Sequence, residues 1–186
     1  MNDAGLDGLA TARLQLRRFT PDDEGFLAEL HSNPDVMRYM GGVKTAEQNR
    51  ALLQTRILAY YDEHPGLGVW LTSERGSGQR IGFHLLNNIQ GETLIQVGYC
   101  LLPAAWGKGY ATEMCRALLD YGFKSLKLPT LHAITDLGNT GSQQVLLKSG
   151  LQRQGERFFP HPAYAASGPM AYFECAAQNW PLAFGA

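Results

Sequence analysis

The chain has 186 residues, which is enough for a domain with a sizeable buried core. Hydrophobic residues make up 45% of it and charged residues 18%, as is ordinary for a soluble globular protein. The formal net charge of -1 gives no general attraction to nucleic acid or to an anionic membrane, so functions that depend on either are not expected. We expect one domain over residues 1–186, with flexible tails at 1–11 and 178–186.

Strand and helix signals alternate along the chain. Residues 13–19 alternate apolar and polar side chains, as a half-buried strand does. Thr20 and Pro21 then suit the cap and first position of a helix, and Thr45 with Gln48 forms a capping-box pattern before a longer helix. The predicted strands are 13–19, 68–73, 80–89, 94–103, 131–136, 151–159 and 170–177. The predicted helices are 20–31, a further turn at 36–40, 45–63, 110–127 and 139–150.

The order of these elements predicts the fold class. Hairpin-connected strands come first, and a single strand-helix-strand crossover follows them. This order indicates an α/β (α+β) architecture, with a mixed, mostly antiparallel central sheet of about seven strands and helices on both faces. The strand at 94–103 is more apolar than its neighbours, so we place it in the centre of the sheet.

The cysteine and histidine positions argue against a disulfide framework and a metal site. Cys100, Cys115 and Cys175 are far apart and form no CxxC pair, as expected for buried free thiols in a reducing compartment. The histidines are scattered without the spacing of metal ligands, so we predict no metal. The N-terminal sequence lacks the basic start and apolar core of a signal peptide, and no window is apolar enough to span a membrane. We therefore expect a cytoplasmic protein.

The junction between the central strand and the following helix carries Gly107-Lys108-Gly109. Backbone N–H groups at a helix start lack acceptors, and the helix dipole adds partial positive charge there. Glycine lets the backbone adopt unusual φ values and approach a phosphate closely, while Lys108 could add a charge and Thr112 a hydroxyl. The pattern fits either a diphosphate site or a simple tight turn.

Two nucleotide-binding motifs fail at this junction. A Walker A loop needs G-x-x-x-x-G-K-[ST], and both the upstream glycine and the hydroxyl residue after Lys108 are missing. A dinucleotide fingerprint needs G-x-G-x-x-G, and Thr112 stands where its last glycine belongs. A phosphate-loop nucleotidase is therefore disfavoured.

The junction does match a motif of another superfamily. The segment "PAAWGKGYATE" (103–113) resembles the [RQ]-x-x-G-x-[GA] signature of the GNAT superfamily of N-acetyltransferases. It looks most like the branch that contains ribosomal-protein N-terminal acetyltransferases and their small-amine relatives. The resemblance covers nearly the whole chain, because "RLQLRRFTPDD", "NPDVMRYMGG", "VWLTSERGSGQRIG" and "NTGSQQVLLKSGL" are similar to further segments of that branch.

The resemblance implies the GNAT fold, in which a bulge splays a central strand pair and opens a V-shaped slot. Gly98 could help to form the bulge or could serve packing. Two positions depart from the family pattern. Ala104 stands where the signature has Arg or Gln, so phosphates would depend more on backbone groups and Lys108. Leu146 stands where many members have a tyrosine that serves as general acid.

The resemblance also implies acetyl-CoA as co-substrate. Its diphosphate would bind the backbone N–H groups from Trp106 to Thr112, and its pantetheine would pair with the end of the central strand. The implied cofactor-binding residues are Cys100, Leu101, Leu102, Trp106, Gly107, Lys108, Gly109, Tyr110, Ala111, Thr112, Asn139 and Ser142.

The implied reaction is direct attack of a neutral amine on the thioester. The N–H of Leu101 is the candidate donor to the oxyanion, and Ser142 is the candidate to protonate or hydrogen-bond the leaving thiolate. Ser142 could instead satisfy local backbone groups, and Asn139 could either cap its helix or bond the pantetheine amide. Cys100 is not expected to be a nucleophile, because its apolar surroundings give no reason for a lowered pKa.

The base that deprotonates the amine is less defined. His84 has a suitable ordinary pKa, although a single strand histidine can equally be structural, and water could carry the proton instead. The candidates for lining the acceptor site are Tyr39, Trp70, His161 and Tyr164.

Two classes of function remain open on these patterns. One is an acetyl-CoA-dependent N-acetyltransferase that acts on a primary amine, and the other is a non-catalytic acyl-CoA-binding regulatory module of the same fold. The resemblance leaves the acceptor open among protein N-termini, antibiotics, polyamines and amino-acid analogues. An exposed strand could also support a homodimer.

Overall fold

The computed structural model describes residues 8–165 and 167–180. Within these residues seven strands form one sheet: β1 (Leu14–Arg18), β2 (Gly68–Glu74), β3 (Arg80–Asn88), β4 (Ile95–Leu101), β5 (Thr130–Asp136), β6 (Gln152–Arg157) and β7 (Met170–Ala176). Their order is β1-β2-β3-β4-β5-β7-β6, and all neighbours are antiparallel except β4 and β5, which are parallel. The predicted mixed, mostly antiparallel sheet is confirmed, and the strand predicted to be central, β4, is the middle one.

The helices of the described chain are α1 (Glu24–Ser32), α2 (Pro34–Met37), α3 (Ala46–Leu52), α4 (Ala59–Glu63), α5 (Tyr110–Lys124) and α6 (Thr140–Lys148). A π-helical segment, Leu53–Leu58, joins α3 to α4, so the two form one continuous helix where 45–63 was predicted. The capping box at its start is present. Thr45 Oγ1 accepts a hydrogen bond from the Gln48 N–H at 3.2 Å, and Gln48 Oε1 accepts one from the Thr45 N–H at 2.9 Å.

The sheet has an apolar cluster on each face. Side chains of α5 and α6 pack on one side, which we call the α5 face, and those of α1, α2 and the α3–α4 helix pack on the other, the α1 face. Successive strand residues point to opposite faces, so in β3 Leu86 belongs to the α5 face and Phe83 to the α1 face. The predicted placement of helices on both faces is confirmed.

The two ends of the chain were expected to be flexible. Where the structure describes them, they are held by hydrogen bonds. The Leu16 N–H donates to the Leu9 carbonyl at 2.9 Å, and the Trp180 indole N–H donates to Asp120 Oδ1 at 3.0 Å. Residues before Gly8 and after Trp180 lie outside the described part, and the expected tails there stay a prediction.

Candidate active site

Strands β4 and β5 separate beyond a single paired position. Gln96 of β4 pairs with His132 of β5, and among the described residues no second pair joins these strands. On its other side β4 pairs with β3 at seven positions. A V-shaped slot therefore opens between the carboxyl-terminal halves of β4 and β5, which confirms the expected splayed strand pair.

The slot does not arise from a bulge in the β3–β4 ladder. The pairing of these strands runs in unbroken register over all seven positions. Gly98, where a bulge was considered, lies opposite Leu85, and a Cβ at Gly98 would be 3.1 Å from the Leu85 Cδ1. The strand parts from β5 while it stays fully paired with β3, so Gly98 serves close packing here.

Hydrogen-bond alternation along β4 decides which backbone groups face the slot. The Leu102 N–H donates to the Ile81 carbonyl of β3 at 2.8 Å. An antiparallel ladder alternates, so Cys100 also directs its backbone toward β3, whereas Tyr99 and Leu101 direct theirs toward the slot. The expectation that Cys100 and Leu102 pair with the pantetheine does not hold for their backbone groups, because β3 uses them.

Tyr99 was missed by the sequence analysis, although the two-residue period of a strand places it beside the slot together with Leu101. The Leu101 carbonyl accepts a hydrogen bond from the Trp106 indole N–H at 2.8 Å. The indole therefore fixes the end of β4 to the loop that follows, and the Leu101 N–H lies on the slot side of the same strand.

The loop between β4 and α5 presents unpaired backbone N–H groups. Gly107 and Gly109 have φ angles of 72° and 78°, in the left-handed region that favours glycine, and α5 begins directly afterwards at Tyr110. The N–H groups of residues 107–112 have no acceptor anywhere in the described chain. They gather at the positive end of the helix dipole, which is an arrangement that binds phosphate.

Two residues of the expected cofactor-binding set are engaged elsewhere. The Trp106 N–H donates to the Pro103 carbonyl at 3.0 Å, so it is not free for a phosphate. The Lys108 Nζ lies 3.9 Å from Glu74 Oε1, and the same oxygen accepts a hydrogen bond from the Tyr110 hydroxyl at 2.9 Å. The Lys108 side chain therefore lies beside a carboxylate and outside the cleft.

An ion pair supports this loop, and the sequence analysis missed it. The Arg13 guanidinium donates to the Lys108 carbonyl at 2.9 Å and to Glu113 Oε2 at 2.6 Å, and the Thr11 hydroxyl donates to Glu113 Oε1 at 2.5 Å. Burial would raise the pKa of Glu113, but the hydrogen bonds from Thr11 and Arg13 outweigh burial and lower it. An acidic residue in the first turn of α5 was visible in the sequence, but its partners lie about a hundred positions away, just before β1.

Asn139 and Ser142 lie at the start of α6, which follows β5. Asn139 Oδ1 accepts a hydrogen bond from the Ser142 N–H at 3.1 Å, so Asn139 caps the helix, which was one of its two expected roles. The Ser142 side chain and the phenol of Tyr99 both line the cleft. Burial raises the pKa of Tyr99 well above its ordinary value, so the phenol keeps its proton at neutral pH.

The slot is part of a cleft of about 1600 Å³. We call the part next to loop 107–112, α5 and α6 the loop half, and the part between α1, α2, the α3–α4 helix and the α1 face of the sheet the α1 half. Gly98 lies on the floor of the α1 half, between Leu85 and Cys100. Because Gly98 has no side chain, nothing projects from this position into the α1 half.

His84 faces neither half of the cleft. It is fully buried on the α5 face, its Nδ1 lies 2.7 Å from the Thr72 Oγ1, and it is not among the residues that line the cleft. Burial lowers the pKa of His84 to about 3. The structure therefore argues against His84 as the general base, because strand alternation directs its side chain away from the α1 half.

The other candidate residues divide by position. Tyr39 and Tyr164 line the α1 half, whereas Trp70 is buried on the α5 face and His161 lies outside the cleft. Cys100 lines the cleft, but burial raises the pKa of its thiol to about 12. A thiol with so high a pKa supports the expectation that no covalent intermediate forms on Cys100.

Two kinds of feature are absent from residues 8–165 and 167–180. No helix in these ranges is long and apolar enough to cross a membrane. They also hold no group of three or more His, Cys, Asp or Glu side chains that could bind a metal ion.

Comparison with known proteins identifies the family. Residues 13–152 match the model of the acetyltransferase (GNAT) domain. The chain is 34% identical over 152 residues to the uncharacterized N-acetyltransferase YoaA of Bacillus subtilis, a match that covers 79% of this chain and 84% of the relative. It is 28% identical over 172 residues to the spermidine N(1)-acetyltransferase of Escherichia coli K12, with 87% and 86% covered. An acetyltransferase (GNAT family) crystal structure from Bacillus anthracis superposes with a TM-score of 0.73 at 28% identity and covers 92% of this chain and 99% of its own.

The family match spans most of the chain, including the loop, the slot and α6. It supports an enzyme rather than a non-catalytic regulatory module of the same fold. The chain belongs to the GNAT family and is an acetyl-CoA-dependent N-acetyltransferase.

Proposed function

We propose that the loop half binds acetyl-CoA and that the α1 half admits a primary amine, to which the acetyl group is transferred directly. The observation that carries this proposal is the set of consecutive backbone N–H groups at 107–112, which have no acceptor in the described chain. A Cβ at Gly107 would meet no atom within 4 Å, so the surface of the loop is open to a ligand. The diphosphate of CoA would supply the missing acceptors.

The pantetheine would lie in the slot and take the place of the strand partner that β4 loses beyond Gln96. The backbone groups of Tyr99 and the N–H of Leu101 are directed there, whereas the Leu101 carbonyl already accepts the Trp106 indole N–H. We assign the oxyanion of the tetrahedral intermediate to the Leu101 N–H, because a fixed backbone donor needs no reorganisation when the charge develops. Tyr99 offers a second donor two residues earlier on the same edge.

The leaving thiolate would receive its proton at Ser142. The position of Tyr99 supports this assignment, because its phenol lines the same cleft as Ser142 and burial keeps it protonated at neutral pH. Ser142 of α6, with Tyr99 of β4 beside it in the cleft, would then take the role of the tyrosine that Leu146 replaces.

The charged side chains that line the α1 half limit how many ammonium groups the acceptor can carry. Within the described residues, Arg38, Lys44 and Arg56 line it, against the carboxylates of Asp35 and Asp136, and Arg38 pairs with Asp35 at 2.8 Å. Positive charges repel an acceptor that carries several ammonium groups. We therefore propose an acceptor with a single primary amine, such as a protein N-terminus or a small monoamine, in preference to a polyamine such as the substrate of the spermidine N(1)-acetyltransferase relative.

The motifs "WGKGYATE" and "NPDVMRYMGG" support a place in the branch that resembles ribosomal-protein N-terminal acetyltransferases. A place in that branch agrees with an acceptor that presents a single primary amine, such as the α-amine of a protein N-terminus.

The proposal is tested by release of CoA thiol from acetyl-CoA with a panel of amines. The panel is a serine-initiated hexapeptide, an alanine-initiated hexapeptide, kanamycin and spermidine. We expect release with at least one peptide, little with spermidine, and at least 10-fold loss of kcat with an unchanged Kd for CoA in Ser142→Ala. No thiol release with any amine, or no heat of CoA binding at millimolar concentration, would overturn the function.

We also propose a cytoplasmic location and an open sheet edge for self-association. All three cysteines are buried and unpaired in the described chain, as fits a reducing compartment.

Strand β6 lies at one edge of the sheet and pairs on one side only, so a second copy could pair there. Light scattering after size-exclusion chromatography distinguishes a homodimer from a monomer.

A further inference from the structure

A histidine that the sequence analysis did not single out lines the α1 half. His31, near the end of α1, is 1% exposed, and its Nδ1 lies 2.7 Å from the Oδ1 of Asn49 in α3. A carbonyl oxygen only accepts, so Nδ1 carries the proton of the neutral ring. The other nitrogen, Nε2, is then a bare acceptor.

No described residue donates a hydrogen bond to His31 Nε2, and the atom is buried. A buried polar atom without a partner is unfavourable and is uncommon in folded proteins. Here it belongs to a residue that lines a cleft, and a protonated amine is the type of group that would donate to it.

The position of His31 along the sheet matches the proposed reaction centre. Its ring makes an edge contact with Phe83, at 6.0 Å between centroids, and Phe83 pairs with Cys100 of β4. Leu101, whose N–H we assign to the oxyanion, is the next residue of that strand. His31 therefore lies on the α1 face over β3, level with the residue that precedes Leu101 on the neighbouring strand.

Other histidines of the described chain lack this combination. His84 also has an unpartnered Nε2, but it lies on the α5 face, outside the cleft. His64 has an unpartnered Nδ1 and stacks on Tyr60 away from the cleft. The Nδ1 of His132 lies 2.7 Å from the Tyr172 hydroxyl.

We propose that His31, held in one tautomer by Asn49, is the general base that takes the proton from the acceptor ammonium. The inference rests on the proposed function. One proton moves from the ammonium nitrogen to His31 Nε2, and the neutral nitrogen then forms a bond to the thioester carbon. When the tetrahedral intermediate collapses, the C–S bond breaks and Ser142 gives its hydroxyl proton to the sulfur. The second proton lost by the nitrogen reaches Ser142 through solvent and restores the hydroxyl. His31 returns its proton to solvent, so one proton is released per turnover.

The electrostatic surroundings keep His31 ready to accept a proton. Burial lowers the pKa of His31 below its ordinary 6.5, the Asn49 hydrogen bond opposes this, and the positive charge of Lys44 lowers the pKa further. Lys44 is half-buried in the cleft, its N–H donates to the His31 carbonyl at 3.1 Å, and it forms no ion pair within the described part of the chain. At neutral pH the imidazole is therefore uncharged, and it becomes protonated only in acid.

The test compares His31→Gln with His64→Gln, which removes an imidazole outside the cleft. Acetyl transfer from acetyl-CoA to the most active amine of the panel is measured from pH 5 to pH 9, together with Tm and the Kd for CoA. We expect kcat/KM at pH 7.5 to fall about 100-fold in His31→Gln. We also expect the fall of kcat/KM at low pH, which we call the acid inflection, to disappear in this variant. Its Kd for CoA should stay within twofold of the wild-type value. His64→Gln should retain both the rate and the inflection.

Two further variants keep the proposal open to failure if His31→Gln is unstable. Asn49→Asp places a carboxylate beside Nδ1, which raises the pKa of the imidazole, so the acid inflection should move up by about one pH unit. Added imidazole should restore part of the rate of His31→Ala. An acid inflection that is unchanged in Asn49→Asp and in any folded His31 variant would overturn the inference. Acetyl transfer by the wild-type enzyme would still uphold the proposed function in that case. If the wild-type enzyme transfers no acetyl group, both fall.

Discussion

The two halves of the cleft are built in different ways. The loop half depends on backbone groups of consecutive residues, 107–112, and on the start of one helix. The α1 half depends on side chains from separate elements, such as His31 of α1, Asn49 of α3 and Phe83 of β3. A site made of local backbone tolerates change in most side chains but not in its glycines. A site made of distant side chains can be altered one residue at a time.

The largest effect is expected at Gly109. Valine there would need a φ of 78°, which a β-branched residue rarely adopts, and its side chain would cover the helix start. We expect Gly109→Val to weaken CoA binding at least 100-fold by calorimetry. Gly76→Ala is the matched control, because a Cβ at Gly76 meets no atom within 4 Å and its φ is not positive. Tight CoA binding by Gly109→Val would show that the loop is not the diphosphate site.

The corresponding change in the α1 half is Gly98→Val. Its side chain would contact Leu85, which lies 3.1 Å from the Cβ position, and would project from the floor of the α1 half. We expect KM for the amine to rise about 10-fold while the Kd for CoA changes little. Equal losses for both ligands would mean that the two halves are not separate sites.

Glu113 links the loop half to the stability of the fold, because its ion-pair partner Arg13 also holds the Lys108 carbonyl of the loop. Its pKa is lower in the folded protein than its ordinary 4.5, so its stabilising effect is fully present above about pH 4.5 and is lost as the pH falls through the folded pKa. A half-exposed ion pair contributes about 1 kcal/mol to the free energy of unfolding. We therefore expect Glu113→Gln to lower Tm by about 2–4 °C at pH 7. The difference from wild type should shrink below pH 4.5. A difference that grows in acid would contradict this role.

The smallest effect is expected at Lys108, although its place in the motif suggests a phosphate contact. Its ammonium lies beside Glu74 and outside the cleft. We expect Lys108→Ala to weaken CoA binding less than threefold, as measured by calorimetry at two salt concentrations. A loss above 10-fold that diminishes with salt would show that the side chain turns toward the phosphate.

The sequence predicted best what depends on neighbours along the chain. The glycines of the loop, the capping box at Thr45 and the alternation of strand residues are local features, and each is present in the structure. The order of elements was enough to predict the mixed sheet and the position of β4 within it.

What the sequence could not predict depends on contacts between distant residues. Arg13 reaches Glu113 across a hundred positions, and His31 meets Asn49 only because α1 and α3 pack side by side. His84 was chosen because its ordinary pKa suits a base, but the face to which a strand residue points depends on the helices that cover the sheet. Lys108 was assigned to phosphate from its place in the glycine loop. The sequence did not reveal that its ammonium lies beside Glu74, which is 34 positions earlier in the chain.

The single pairing between β4 and β5 divides the sheet into a four-stranded part, β1 to β4, and a three-stranded part, β5 to β7. The amide hydrogens of Tyr99 and Leu101 have no strand partner opposite them, so they should exchange with deuterated solvent faster than those of Cys100. A cofactor seated between the two parts would hydrogen-bond to this edge and link them. Slower exchange along β4 in the presence of CoA would then report how far the ligand makes the enzyme more rigid before the amine arrives.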